Sequence, residues 1–317
     1  MRLYPTAWYP FCLASNLRRG RTLSVRAFAT NWCLFRTVTG RLGIVHATCC
    51  HMGADLARGR VVGEHLRCAL HAWEYTTDGA CARIFDSDAV PRGARQPALA
   101  ATERFGLIWG FLGEGTPPEP PSAEDYEDPL LSWCYIATLP LPYPMMGMNA
   151  FDMHHLRPLH HRALDAPAQI TTLSPRRIRL QYSASVVGDR FYDRLTRALG
   201  VPRVEIEVDS WDGTQLIFHH RRLRAFTLLA SHIVDDDTTR VYLRTGRARR
   251  WRHAALAPLD RLLLDAHHRL IVSFALQDLQ ALRGARFRQG VLHPERDREF
   301  MQWHRHFAAI PRAPVPE

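Results

Sequence analysis

The 317-residue chain is 46% hydrophobic and 23% charged, a globular composition with length enough for one large domain or two ordinary ones. No run of eighteen apolar residues speaks for a membrane-spanning helix. The amino terminus, interrupted by Pro5 and Pro10 with only Arg2 ahead of them, makes a poor secretory leader, so the expected compartment is the cytoplasm. The net charge of +10 comes from 41 Arg with no Lys at all, scattered except at residues 247–252 and Arg221-Arg222. Without an aromatic-interleaved basic repeat this speaks against a nucleic-acid partner, and it leaves room for a basic face that steers an acidic electron-donor protein.

In chain order, residues 7–48 read as short strands: Trp8-Tyr9-Pro10, then 23–28, 32–38 and 42–45, with Thr39-Gly40 as a turn. Residues 60–66 read as a β-ribbon, because Val61 and Val62 favour strands and Gly53, Gly59 and Gly63 supply turns. Residues 75–84 read as a hairpin turning at Asp78-Gly79, and 105–113 as one more strand. This all-β region ends in the proline-rich stretch 115–122, which predicts a boundary near residue 120 and a division into 1–118 and 119–317. Beyond it, 170–187 and 204–223 look like strands, and 227–243 a pair of strands around Asp235-Asp236-Asp237. Residues 192–199, 256–283 and 296–307 carry helical spacing. Strands followed by helices predict an α+β second domain built round an antiparallel sheet.

Two stretches carry chemistry. Cys49-Cys50-His51 and Cys68-Ala69-Leu70-His71 each offer one thiolate and one imidazole, with sixteen residues between. That interleaving suits a Rieske [2Fe-2S] centre, where two Cys hold one iron and two His the other. A structural zinc site instead pairs Cys-x2-4-Cys with His-x3-5-His. Cys-x-His spacing selects Cys49 over Cys50. The remaining cysteines, Cys12, Cys33, Cys50, Cys81 and Cys134, are odd in number and suggest no disulfide framework.

The second stretch packs Asn149, Asp152, His154, His155, His160 and His161 into thirteen residues. Two imidazoles and one carboxylate form the facial triad of a mononuclear non-haem Fe(II) oxygenase. His155 and His160 are the expected imidazoles, and Asp278, on the otherwise apolar segment Phe274-Ala275-Leu276-Gln277-Asp278-Leu279, the expected acid, since a buried carboxylate needs a partner. His154 and His161 should point elsewhere. Asp235 to Asp237 reads as a solvated turn, His219-His220 and His267-His268 as surface or satisfied core residues, and Asp297 as part of a charged face. Met145, Met146, Met148, Phe151 and Phe226 suggest an apolar lining for a hydrophobic substrate. No Gly-x-Gly-x2-Gly follows a strand, so the reductase is expected to be another protein.

With both constellations in this order, the chain resembles the oxygenase (α) component of the Rieske non-haem iron oxygenases, over essentially its whole length. The family pattern Cys-x-His, spacer, Cys-x2-His matches Cys49, His51, Cys68 and His71, and Asn-x2-Asp-x2-His-x4-His matches Asn149, Asp152, His155 and His160. The resemblance implies an N-terminal all-β Rieske domain followed by an α+β catalytic domain. It also implies Fe(2+) on His155, His160 and Asp278, and O2 activation with electrons from NAD(P)H through a separate ferredoxin or flavin reductase. It further implies a head-to-tail homotrimer in which Asp152 links His155 to a neighbour's His71. Hydroxylation or monooxygenation of a hydrophobic cyclic small molecule is the implied reaction. Desaturation, oxidative cyclisation, demethylation and amine oxidation are the alternatives, and an electron carrier without oxygenase activity a more distant one. The family's Cys-Pro-x-His-Gly-Trp loop is departed from: Ala69 and Ala72 stand at the Pro and Gly positions.

Overall fold

The computed structural model describes residues 2–87, 89–126, 128–198, 200–248, 257–286 and 290–316. Residues 249–252 of the basic run, and the helix ends expected at Leu199 and Leu256, lie outside the described residues. The chain forms two compact units: Met1–Pro120 with His232–Asp236 and Arg312–Glu317, and Pro121–Ser231 with Asp237–Pro311.

In the first unit an antiparallel sheet runs in the order Ala7–Leu13, Leu107–Leu112, Ala98–Arg104, Leu42–His46, Thr30–Arg36, Arg21–Ala27. Pro10, which has no N–H for a ladder, sits beside a bulge where Ile108 faces Cys12 and Trp109 faces Pro10. The extra residue, Phe11, is fully buried with Trp32 and Phe35. The strand expected to start at residue 105 starts at Leu107, because Phe105 and Gly106 form a turn with φ of 52° and 66°. Its partner Ala98–Arg104, Ala-rich and lacking alternation, was not expected; it is held by pairing on both sides. A smaller sheet joins Arg60–Val62, His65–Arg67, Glu74–Tyr75 and Cys81–Arg83. Gly79 closes its hairpin with φ +85°, where any side chain would collide with the Gln96 carbonyl.

In the second unit a nine-stranded sheet runs Leu130–Leu131, Thr238–Arg247, Ala225–Asp235, Gln215–His220, Arg203–Trp211, Arg177–Val186, Arg162–Leu164; Tyr135–Leu139 pairs with Thr238–Arg247, and Gln169–Ser174 with Arg177–Val186. Its helices are α1 (Pro144–Phe151), α2 (Leu156–His160), α3 (Phe191–Ala198), α4 (Ala257–Ala281) and α5 (Arg298–Ala309). Asp260, Leu264, His268 and Val272 recur every fourth residue along α4, and that stripe is buried. On one face of the sheet Asp209 is fully buried and accepts bonds from Arg177, Arg179 and His219. Burial acts to raise its carboxyl, but these three partners outweigh it and hold Asp209 well below the usual carboxylate range. His219 is thus a core residue held by Asp209 through Nε2 alone; its buried Nδ1 has no hydrogen-bond partner among the described residues. The α+β class expected for this region is what the structure shows.

Candidate metal centres

The first donor set lies on two loops closed in the same way. In one, the Cys49 N–H donates to Ala54 O at 2.8 Å and the Gly53 N–H to Cys49 O at 2.9 Å. In the other, the Cys68 N–H donates to Trp73 O at 2.8 Å and the Ala72 N–H to Cys68 O at 3.2 Å. This second turn needs a left-handed residue, and Ala72 takes it at φ 56° in the place of the family's Gly. Buried Gln96, which sequence reasoning missed, braces the first loop: its Nε2 donates to the carbonyls of His46 and Thr48, and its Oε1 accepts from the Cys50 N–H at 2.9 Å.

Cys49 and Cys68 are each 3% exposed and share one core cluster with Tyr75. His51 and His71 are exposed, with ring centroids 4.7 Å apart, and His51 stacks on Trp73 at 4.3 Å. Two thiols at a buried end and two imidazoles at an exposed end fit a two-iron cluster whose halves differ in ligand type. The Tyr75 hydroxyl lies 3.0 Å from Cys49 Sγ and 3.4 Å from Cys50 Sγ, so Cys50 is a loop residue that shares Tyr75 with Cys49.

The second donor set is built by the end of α1, by α2 and by α4. Pro144 in the first turn starts α1, where its missing N–H costs nothing. The chain leaves α1 at Asp152, which is extended with ψ 106° and whose N–H donates to Asn149 O. Asp152 Oδ1 then accepts the His154 N–H at 2.8 Å, an Asx turn that swings the chain into α2. His155 and His160 fall at the two ends of this short helix, with ring centroids 5.2 Å apart.

Asp278 of α4 meets them: its Oδ1 is 2.7 Å from His160 Nε2 and 3.6 Å from His155 Nε2. Donor atoms of His155, His160 and Asp278 all lie within 4.8 Å of one another. Two imidazoles and a carboxylate converging at that spacing fit a mononuclear Fe(II) site with open positions. The other nitrogen of His155, Nδ1, lies 3.7 Å from Asp152 Oδ2, so Asp152 faces His155 from the side away from Asp278. Burial acts to raise the Asp152 carboxyl, but the His155 ring and the His154 N–H outweigh it and hold Asp152 below the usual range. His154 is exposed, and His161 ends α2 in a left-handed conformation at φ 54°.

The apolar lining expected from Met145, Met146, Met148, Phe151 and Phe226 is a correction. Met145 and Met146 are packed core with Leu141 and Val241, Met148 packs against the same cluster, Phe151 stacks with Trp303, and Phe226 is buried against Tyr126. Tyr182, whose hydroxyl is pushed up by burial and by the Asp278 charge, lines a cavity of ≈ 300 Å³ whose wall mixes polar Gln181, Glu207 and Arg221 with apolar Ala166, Pro167 and Ile206. Arg221 there is paired with Glu207 and Asp125, and Arg222 with Glu205, so these basic residues are neutralised locally.

Residues 7–93 match the family described as the Rieske [2Fe-2S] domain. Aminopyrrolnitrin oxygenase PrnD of Pseudomonas fluorescens is 28% identical over 171 residues, 50% of this chain and 47% of the relative. The oxygenase component of 3-ketosteroid-9-alpha-monooxygenase from Rhodococcus rhodochrous is 31% identical over 130 residues, 39% of this chain and 34% of the relative. The chain therefore matches less than half the length of these curated relatives. The crystal structure of dicamba monooxygenase bound to dicamba has the same fold, with a TM-score of 0.66 at 16% identity over 98% of both chains. Residues 7–93 are thus a Rieske [2Fe-2S] domain, and the first donor set lies on two of its loops. More narrowly, over part of its length the chain is similar to proteins named as oxygenases, and it shares the fold of a solved monooxygenase.

Proposed function

We propose that this protein is the oxygenase component of a Rieske system that uses O2 to oxidise, most simply to hydroxylate, a hydrophobic cyclic small molecule. Residues 1–118 form the cluster domain in this reading and 119–317 the catalytic domain. The observation that carries it is the convergence of His155, His160 and Asp278 from elements 118 residues apart in the chain. When bound, the cluster on Cys49, Cys68, His51 and His71 supplies single electrons, and the ferrous ion on His155, His160 and Asp278 supplies O2 activation.

The protein's own residues do the rest. Buried Cys49 and Cys68 keep the cluster's inner half from water, while exposed His51 and His71 present its outer half to a partner. Asp152 lies 3.7 Å from Nδ1 of His155, which leaves Nε2 as the nitrogen turned towards Asp278. In a head-to-tail homotrimer, Asp152 would lie between His155 and the partner subunit's His71, on the line between the two centres. A separate ferredoxin or flavin reductase, itself acidic, delivers electrons in the cytoplasm.

The test is iron and acid-labile sulfide per chain on anaerobically purified protein, with EPR of the reduced form. Three irons and two sulfides with a Rieske signal are expected, falling to two irons with the same signal in Asp278→Asn. A native protein that never holds more than two irons would leave an electron carrier, and one that holds only zinc would overturn both centres.

A further inference from the structure

Next to the three-ligand site a buried cation has no place in the chemistry described so far. Arg162, 7% exposed, directly follows the His160-His161 pair. Its Nη1 donates to His160 O at 3.0 Å, to His161 O at 3.1 Å and to Asp193 Oδ1 at 2.6 Å. Asp193 is itself 3% exposed. Taking both charges out of water is costly, and such a pair adds little stability over an apolar one of similar volume. What it adds is geometry: one nitrogen ties the two carbonyls where α2 ends in a left-handed residue. The packing is made for the pair, because a side chain at Gly188 would run into both Asp193 and His161.

The same guanidinium lies 5.3 Å over the Phe274 ring, and Phe274 meets the His160 imidazole edge-on at 5.6 Å. Phe274 stands one turn before Asp278 on α4 and so shares its face. Arg162 therefore touches the backbone of one ligand and the ring that spaces that ligand from the helix bearing another. A second tie runs alongside: Arg190 Nη1 donates to Gln277 Oε1 at 2.7 Å, and the Asp193 N–H to Arg190 O at 3.0 Å.

We propose that Arg162 and Asp193 are a positioning pair that sets the approach of His160 to Asp278, and thereby the affinity and coordination geometry of the divalent metal, without touching it. This rests on the assignment of His155, His160 and Asp278 as ligands.

The experiment uses full-length protein with its cluster loaded, and measures Fe(II) affinity by chelator competition and, in parallel, the visible absorption bands of Co(II) bound in place of Fe(II). Arg162→Met and Asp193→Asn are each expected to weaken Fe(II) about tenfold or more and to shift the cobalt bands, with cluster content and Rieske EPR unchanged. Arg162→Lys keeps the charge and a donor nitrogen but loses the planar guanidinium over Phe274, and is expected to weaken the metal as well. If Arg162→Met loses the Rieske signal along with its fold, Arg162→Lys decides by the same readouts. Affinity within twofold of native with unshifted bands, in either the Arg162 or the Asp193 variant that folds, overturns the proposal. A native protein that takes up no metal beyond its cluster overturns the ligand assignment instead, so the two failures are distinguishable.

Discussion

At the scale of single residues, the Tyr75 hydroxyl is the clearest handle on the cluster. Reduction puts negative charge on the iron–sulfur core, and a hydrogen bond donated to Cys49 Sγ stabilises that charge, which raises the potential. A differential bond worth about 1 kcal/mol corresponds to about 40 mV for one electron. Tyr75→Phe, which keeps the ring packed among buried neighbours, is therefore expected to lower the potential by about that much with the cluster intact. Protein-film voltammetry reads this directly, and an unchanged potential removes the role.

Among the elements, the second cluster loop carries a local cost. Ala72 holds φ 56°, a conformation glycine adopts without penalty and alanine does not. The loop still closes, because Cys68 N–H to Trp73 O and Ala72 N–H to Cys68 O are both made. Ala72→Gly is expected to stabilise the cluster domain by about 1 kcal/mol, part of the relief being offset by the freer unfolded chain. Urea unfolding followed by the cluster's visible absorption measures it, and a destabilised variant would show that the Ala72 methyl group contributes packing worth more than the strain.

For the whole molecule, acid is the relevant stress, because three imidazoles are packed as neutral groups. Burial lowers His267 and His268 to about 4 and His220 to about 3, with the neighbouring His267 and Arg247 adding to it. Their folded values lie below the unfolded value of about 6.5, so the unfolded chain binds the extra protons. Stability is full above about pH 6.5 and falls as pH drops towards 4, by on the order of 3 kcal/mol for each group that fully titrates. Asp209 adds a later loss: its depressed carboxyl contributes stability above about pH 3.9 that disappears as pH falls further. Denaturant midpoints measured from pH 7.5 to 3.5 should decline in that order; a flat profile between pH 6.5 and 4.5 would show that the three histidines are not held neutral.

Local chemistry was legible in the sequence wherever a metal or a turn dictates both residue type and spacing. Cys49-x-His51, Cys68-x2-His71 and His155-x4-His160 stood out by their spacing, and the structure brings each set of side chains together. The strands around Val61, Leu34 and Ile44 followed from β-branched and apolar patterning, and α4 from helical spacing over 256–283. The tertiary structure alone decided what depends on distant segments. It paired Ala98–Arg104, which has no strand pattern of its own, into the sheet. It moved Met145 and Met146 from a supposed pocket wall into the core. It set Tyr75 against Cys49 across 26 residues, and Asp193 against Arg162 across 31. No spacing rule reports such pairs: a buried tyrosine or arginine needs a partner, and which one it finds is settled only when strands and helices far apart in the chain pack together.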